Sequence, residues 1–271
     1  MELQAVLCGT CGGAVAMEAG RDAPRCLFCG STTVEAKPLG EDVEHPESFV
    51  PLVISEVKVL AAMRAFARGN IFHPTEFRRA NLRPRTVFVP AWAWSARIET
   101  HWCALVGAPT RSGKRPITGA EEQPVTDVLT PASSALTRAE LAALSPFTTA
   151  GAQPLTEHGP GAPCEVGTLT RSAAMAAARE LLAGDHVSRI RARVEAQRIG
   201  ASALVHDLAG RPILLPVWIE TFRYLGRMHR ILVNGQTGDL TGTHPISPWR
   251  VGAALLAGAV VIGLIGLVIV R

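Results

Sequence analysis

Two cysteine pairs near the amino terminus constrain the fold more than any other feature. Cys8, Cys11, Cys26 and Cys29 follow the spacing C-x2-C-x14-C-x2-C, and a glycine follows the second cysteine of each pair. Four thiolates in a tetrahedral array favour Zn(II), and the glycines allow a tight backbone turn past the second ligand. A thioredoxin-like redox motif would explain one pair alone, but it does not explain two pairs. The spacing predicts a zinc ribbon with one structural Zn(II) ion.

An uncharged run of 20 residues, 251–270, lies at the other end of the chain. At ~1.5 Å per residue, such a helix spans ~30 Å, the thickness of a hydrocarbon core. A buried core helix rarely has this length without a polar residue, so the run predicts a transmembrane helix. By the positive-inside rule, Trp249 and Arg250 mark the cytoplasmic interface, and Arg271 opposes this orientation only weakly.

The first residues, MELQAVLCGTC, lack the basic and apolar regions of a signal peptide. The chain has six cysteines, too few for a secreted disulfide scaffold of this length, so a reducing compartment is expected. We therefore expect a single-pass protein of the cell inner membrane whose amino-terminal body is cytoplasmic.

Charge and motifs argue against two functional classes. The net charge is only +4, from 27 basic and 23 acidic residues, whereas nucleic-acid binders concentrate far more positive charge. The sequence has no phosphate-binding loop and no Gly-x-Ser-x-Gly elbow, and its eight histidines show no metal-ligand spacing. The two remaining cysteines, Cys103 and Cys164, have no activating neighbours in sequence. The chain is therefore expected not to be an enzyme.

The predicted fold class is α+β, in four segments. Residues 1–36 form the zinc ribbon, and the acidic stretch 37–48 is a linker. Residues 49–248 form an α+β cytoplasmic domain, and residues 250–271 form a transmembrane tail anchor. The length of 271 residues accommodates one large or two modest soluble domains beside these attachments.

Periodicity and capping signals predict the elements of the domain. Ser55 is the expected N-cap of a helix with an apolar stripe, a short helical piece follows at 73–82, and 85–107 reads as strands. Residues 106–170 are rich in Gly, Pro, Ser, Thr and Ala, which predicts loops and short elements. Thr137 and Glu140 form a capping box within that stretch.

The last third of the domain is predicted as a helix followed by strands. The helix is expected over 171–200, with Gly184 near a bend and Gly200 as its C-cap. Strands then follow at 201–208, 212–224 and 227–234, and the turn glycines of VNGQTGDL predict a closing hairpin.

Two segments within the chain match each other. RTVFVPAW (85–92) and RPILLPVW (211–218) share Arg, Pro and Trp at identical spacing. The match indicates either a duplicated helix-plus-sheet unit or chance. Pro90 and Pro216 cannot donate to a ladder, so each is expected at a strand edge or bulge. The tryptophans are interpreted as core anchors: Trp92 and Trp218.

The chain resembles the bacterial zinc-ribbon membrane proteins that are often labelled as related to the primosomal helicase. The resemblance covers most of residues 5–250 and rests on the ribbon, on VFVPAWAW and VTDVLTPASSAL, and above all on 214–250. In that last block the matching residues are Pro216, Trp218, Tyr224, Gly226, Val233, Asn234, Gly235, Thr237, Gly238, Gly242, Pro245 and Ser247. The middle, 104–125, is shorter than in relatives, which carry a longer β-rich insertion there.

The resemblance implies no helicase activity, since the chain lacks the motifs for it. It implies a role as a membrane anchor for a stress-response scaffold of the phage-shock-protein-A or flotillin-like kind. Together with the residues, it favours a non-enzymatic membrane-anchored adaptor that binds a protein partner at the cytoplasmic membrane face. The alternative is a membrane-tethered nucleic-acid-binding ribbon, although no aromatic stacking platform is visible. Small residues on one face of the span predict pairing with itself or with another span: Gly252, Ala259, Gly263 and Gly266.

Overall fold

The body contains more strand than helix in the computed structural model, which describes residues 3–18, 25–38, 44–107, 114–132, 135–156, 160–194 and 198–269. The strands are β1 Leu3–Cys8, β2 Ala14–Glu18, β3 Val34–Pro38, β4 Ser48–Phe49, β5 Arg85–Gly107, β6 Lys114–Pro131, β7 Gln153–Pro154, β8 Cys164–Glu165, β9 Arg198–Tyr224, β10 Arg227–Asn234 and β11 Leu240–Gly242. The helices are α1 Glu56–Arg68, α2 Thr75–Arg78, α3 Arg138–Leu144, α4 Arg171–Arg193 and α5 Pro248–Ile269. The predicted α+β class is confirmed.

The described strands form one sheet centred on the long antiparallel pair β5 and β9. The order is β11-β10-β9-β5-β8-β2-β1-β3. In addition, β6 pairs with β5, and β4 pairs with both β9 and β7. The strands of the predicted ribbon, β1, β2 and β3, therefore continue the sheet of the body through the β2–β8 pairing. The ribbon and the body share one backbone hydrogen-bond network.

Side-chain alternation along β5 and β9 separates two packed layers. Even-numbered side chains of this central part, including Trp92 and Trp218, face the helices: Trp92 packs against α4 and Trp218 against α1. Odd-numbered side chains, such as Val89 and Leu215, face the ribbon and α3. Trp92 is 1% and Trp218 is 7% exposed, which confirms that both are core anchors.

The two matching segments lie side by side, because 85–92 pairs antiparallel with 212–219. Each half of the body also contains a short strand that pairs with the long strand of the other half. β4 precedes α1 and pairs in parallel with β9 at Leu214, whereas β8 precedes α4 and pairs in parallel with β5 at Phe88. Phe88 and Leu214 are equivalent positions in the matching segments, so the arrangement has an approximate two-fold relation.

The prediction that Pro90 and Pro216 mark strand edges or bulges is wrong, because both lie inside the central strands. Each proline sits where its strand changes neighbour. β5 passes from β8 at Phe88 to β6 at Ala91, and β9 passes from β4 at Leu214 to β10 at Val217. The missing N–H groups therefore fall between two ladders, where no ladder bond is lost.

A three-stranded arm, formed by residues 96–107, 114–125 and 198–206, extends beyond the core. Strands β5 and β9 stay paired as far as Leu105 and Arg198, and β6 returns along β5 as an edge strand. At about 3.3 Å per residue, the arm is roughly 40 Å long. α4 packs on one of its faces, where Ile98 and Leu182 share a buried cluster.

The arm corrects two predictions. Residues 106–170 contain the 18-residue strand β6 as well as loops and short elements. The strand has few apolar residues because only one of its faces is covered, and its prolines are tolerated because it pairs with β5 alone. The helix predicted over 171–200 ends at Arg193, and Gly200 lies in β9 opposite Cys103 rather than at a helix C-cap.

Other local signals are confirmed. α1 begins after Ser55, α2 lies within the predicted helical piece, and α3 has the complete capping box of Thr137 and Glu140. The predicted strands 212–224 and 227–234 lie within β9 and β10, and Asn234 begins the turn of the β10–β11 hairpin.

The segment predicted as a linker, 37–48, starts inside β3 and ends at the first residue of β4. Residues 39–43 of that segment lie outside the described residues. At the carboxyl end, α5 covers most of the predicted span. Its window Pro248–Ile265 has a mean hydropathy of 1.8 and no residue buried in the body. This helix is long and apolar enough to cross a membrane.

Candidate metal centre

The first cysteine pair forms a turn at the end of β1. The Cys8 N–H donates to the Gly13 carbonyl at 2.9 Å, and the Gly12 N–H donates back to the Cys8 carbonyl at 2.9 Å. The Thr10 N–H points at Cys8 Sγ, at 3.4 Å. Gly12 has a φ of 74°, in the left-handed region that favours glycine. The backbone thus aims both thiols of this pair to one side.

The second pair repeats the same pattern, residue for residue. The Cys26 N–H donates to the Ser31 carbonyl at 2.8 Å, and the Gly30 N–H donates to the Cys26 carbonyl at 3.0 Å. The Phe28 N–H points at Cys26 Sγ, at 3.3 Å, and Gly30 has a φ of 69°. Both pairs are therefore the same turn, each with one sulfur supported by a backbone N–H.

The two turns face each other and bring four sulfurs together. The distance from Cys8 Sγ to Cys29 Sγ is 3.5 Å, and that from Cys11 Sγ to Cys26 Sγ is 3.7 Å. All four Sγ atoms lie within 4.8 Å of one another. Sulfurs bound at ~2.3 Å to a tetrahedral zinc ion are about 3.8 Å apart. The four cysteines predicted as ligands therefore lie close enough to hold a metal ion.

The pKa values of the cysteine thiols are shifted in different directions. The hydrogen bond between Cys11 and Cys26, together with bonds from the backbone N–H groups of Phe28 and Cys29, outweighs burial and lowers the pKa of the Cys26 thiol to about 5. The same hydrogen bond raises the pKa of the Cys11 thiol, and burial raises the pKa of Cys29. A thiolate at Cys26 would offer a divalent cation its first ligand at neutral pH, and coordination by all four sulfurs would release the remaining thiol protons.

The ribbon is anchored on the body by Phe28, which is 1% exposed and belongs to the main core cluster. A Cβ added at Gly13 would lie 2.6 Å from the Phe28 ring, so the first turn packs directly on this ring. The ring in turn follows Cys26 by two residues. The position of the second turn is thus coupled to the packing of the body.

A cleft of about 380 Å³ opens beside Cys11 and Cys29. Its charged wall is Arg230, whose Nε donates to Glu140 Oε1 at 2.6 Å and whose Nη1 donates to the Ala135 carbonyl at 2.7 Å. Burial raises the pKa of Glu140, but hydrogen bonds from Arg230 and Thr137 outweigh it and lower the pKa overall. Nothing in the local sequence around Arg230 distinguishes it from the other arginines, so this residue could not be predicted.

The two remaining cysteines are not part of this cluster. Cys103 is exposed on the arm, and Cys164 lies in β8, where burial raises the pKa of its thiol to about 11. Such a thiol is a poor nucleophile at neutral pH.

No protein-family model, no curated protein and no solved structure matches this chain.

Proposed function

We propose that the protein is a non-enzymatic, membrane-anchored adaptor whose zinc ribbon and arm belong to one rigid cytoplasmic body. The observation that carries the proposal is the exposed apolar helix α5 at the end of a body that also holds a four-thiol cluster. Four cysteine ligands would fill a zinc tetrahedron and leave no position for a substrate. The ion would therefore stabilise the ribbon rather than catalyse a reaction.

The open face of the arm is the proposed surface for a protein partner. It lies opposite α4 and carries a shallow groove of about 700 Å³ lined by His101, Cys103, Gly200 and Ser202 among others. Small side chains on this face leave room for side chains of a partner.

Charged residues flank the groove. Arg97 bonds Glu122 at 2.9 Å and Asp207 at 3.3 Å, and Glu99 bonds both His101 and His206. A rim of charged and polar groups is a common feature of protein interfaces.

The resemblance described above suggests what the partner is. A membrane-stress scaffold of the phage-shock-protein-A or flotillin-like kind would be recruited to the cytoplasmic face of the inner membrane. The alternative of nucleic-acid binding is less well supported, because the ring of Phe28, the aromatic residue of the ribbon, is buried and cannot stack on a base. Association through the small-residue face of the span remains a prediction.

Affinity purification of the full-length protein from its native membrane tests the proposed surface. Gly200→Arg would fill the groove, and a side chain there meets nothing within 4 Å in the body. Gly184→Arg on α4 is the matched control, because Gly184 also has nothing within 4 Å. We expect a nuclease-resistant partner with the wild type and the control but not with Gly200→Arg. Equal recovery with all three proteins would place the partner elsewhere.

Membrane anchoring is tested separately. We expect the full-length chain to stay with membranes after a carbonate wash and a chain ending at residue 248 to be released. Retention of the shortened chain would indicate a second membrane contact and a different topology.

A further inference from the structure

The first turn of α5 is bonded to the loop between α1 and α2. Arg250 Nη1 donates to the Ile71 carbonyl at 2.8 Å, and Arg250 Nη2 donates to Thr75 Oγ1 at 2.9 Å. The Ser247 N–H donates to the Phe72 carbonyl at 2.9 Å. The segment from Arg68 to Arg79, here called the α1–α2 corner, is thus the part of the body fixed to the start of the span.

If α5 crosses a bilayer, these bonds determine how close the α1–α2 corner lies to the membrane surface. The uncharged run after Arg250 has 20 residues, about the number that a hydrocarbon core requires, so the span has no slack. Arg250 must then lie at the headgroup level. Each interfacial layer is roughly 5–8 Å thick, and the Ile71 carbonyl is one hydrogen bond away from Arg250. Ile71 therefore lies in the interfacial layer as well.

The exposed side chains at this place suit a membrane surface. Ile71 is 68% exposed, and Trp249, in the first turn of α5, is 85% exposed. Tryptophan prefers the membrane–water interface, and the exposed Ile71 side chain adds apolar surface at the same junction. Both residues flank the point where the span leaves the body.

Positive charge is concentrated around the same corner. Residues 56–85 contain seven basic and two acidic residues, a net charge of +5 in a chain whose total is +4. Arg64, Arg68 and Arg79 are exposed, and none of them forms a salt bridge with another described residue. By contrast, Arg97, Arg171, Arg211 and Arg230 of the body are each paired with a carboxylate.

We infer that the α1–α2 corner lies on the bilayer, with Ile71 in the interfacial layer and Arg64, Arg68 and Arg79 bound to anionic phospholipid headgroups. This inference rests on the proposed membrane span. The contact would hold the body in one orientation on the membrane, since a single helix would otherwise leave the body free to tilt. Each arginine near an anionic surface strengthens association by roughly fivefold.

Photo-crosslinking of the full-length protein in vesicles tests the contact. Benzoylphenylalanine replaces Ile71 at the corner, Leu256 in the span, or Leu204 on the arm. Leu204 is exposed and serves as the control position. It lies fourteen residues along β9 from Trp218, the residue that packs against α1, so it is roughly 45 Å from Trp218 along the strand. We expect lipid adducts at positions 71 and 256, and none at position 204. An adduct at 256 without one at 71 would overturn the inference and leave the span intact, whereas no adduct at 256 would overturn both.

A charge reversal tests the headgroup contact. Vesicles containing phosphatidylglycerol should increase the adduct at position 71 several-fold over neutral phosphatidylcholine vesicles. Arg64→Glu/Arg68→Glu should abolish this increase, whereas the matched pair Arg179→Glu/Arg191→Glu on α4 should retain it. The adduct at position 256 reports correct insertion of every variant. An adduct at position 71 that is equal in both lipids, or equally reduced by both charge reversals, would contradict binding to anionic headgroups.

Discussion

The Thr100 hydroxyl and His186 Nδ1 lie 2.6 Å apart between the arm and α4, and both residues are at most 1% exposed. His186 Nε2 lies 2.9 Å from Gln123 Oε1 on the neighbouring strand. The amide oxygen accepts, so Nε2 carries the proton and Nδ1 accepts from the Thr100 hydroxyl. A neutral histidine therefore joins α4 to two strands of the arm.

Acid should weaken this junction. Burial lowers the pKa of His186, and the charge of Arg189 lowers it further. The unfolded chain binds this proton near pH 6.5, above the pKa of the folded state. The free energy of unfolding should therefore be constant above that pH and fall as the pH drops through 6.5 toward the folded pKa.

Substitution of His186 tests this dependence. His186→Gln should lower the free energy of unfolding at pH 7 by roughly 1–3 kcal/mol, because Thr100 and Gln123 lose a buried partner. It should also reduce the slope of stability between pH 7 and pH 5.5 in denaturant titrations of the full-length protein in detergent. His45→Gln, at an exposed position, is the control and should preserve both values. An unchanged slope in the His186 variant would contradict the assignment.

Gly210 should be intolerant of a side chain because it supports Trp94. A Cβ at Gly210 would lie 2.3 Å from the Trp94 ring, which is fully buried and donates from Nε1 to Thr130 at 2.8 Å. Gly210→Ala should therefore cost about 1–3 kcal/mol through overpacking. Gly200→Ala, in the same strand but with nothing within 4 Å, should change stability by less than about 0.5 kcal/mol. Equal unfolding midpoints for the two variants would contradict this packing.

Much of the fold could be predicted because its signals are local. The Thr137–Glu140 capping box, the Ser55 start of α1 and the turn glycines after Asn234 each depend on a few neighbouring residues. The arm could not be predicted in the same way. Its strand β6 is stabilised by pairing with β5 and by contacts with α4 from a distant part of the chain, so its own residues show little apolar periodicity.

The candidate site also has some features that depend on local sequence and others that depend on distant residues. The clustering of its four cysteines could be predicted, because a four-thiolate metal site imposes a spacing on the sequence itself. The packing of Phe28 on the body could not be predicted. The Arg230–Glu140 pair could not be predicted either, since the two residues are 90 residues apart in the chain. Only the folded sheet brings them to the cysteine cluster.

The Arg230–Glu140 pair should matter more than a surface pair. Both side chains are mostly buried, at 23% and 20% exposed, and the Arg230 guanidinium bonds both carboxylate oxygens of Glu140 and the Ala135 carbonyl, a set that lysine cannot reproduce. Arg230→Lys should lower the free energy of unfolding by roughly 1–3 kcal/mol. Arg97→Lys, in a pair that is half exposed, is the matched control and should cost less than about 1 kcal/mol. A larger loss for Arg97→Lys than for Arg230→Lys in denaturant titrations would refute this ranking.

Metal content is the most direct measurement of the central claim, that Cys8, Cys11, Cys26 and Cys29 hold one structural zinc ion. A ribbon of this size buries too little apolar surface to fold alone, so the ion is expected to be tightly bound and to supply folding free energy. Elemental analysis of the purified full-length protein should give about one zinc per chain, and Cys103→Ser, which changes a cysteine on the arm, should retain it. Cys26→Ser/Cys29→Ser should reduce the zinc content to near zero, whereas undiminished zinc in that double variant would contradict the account.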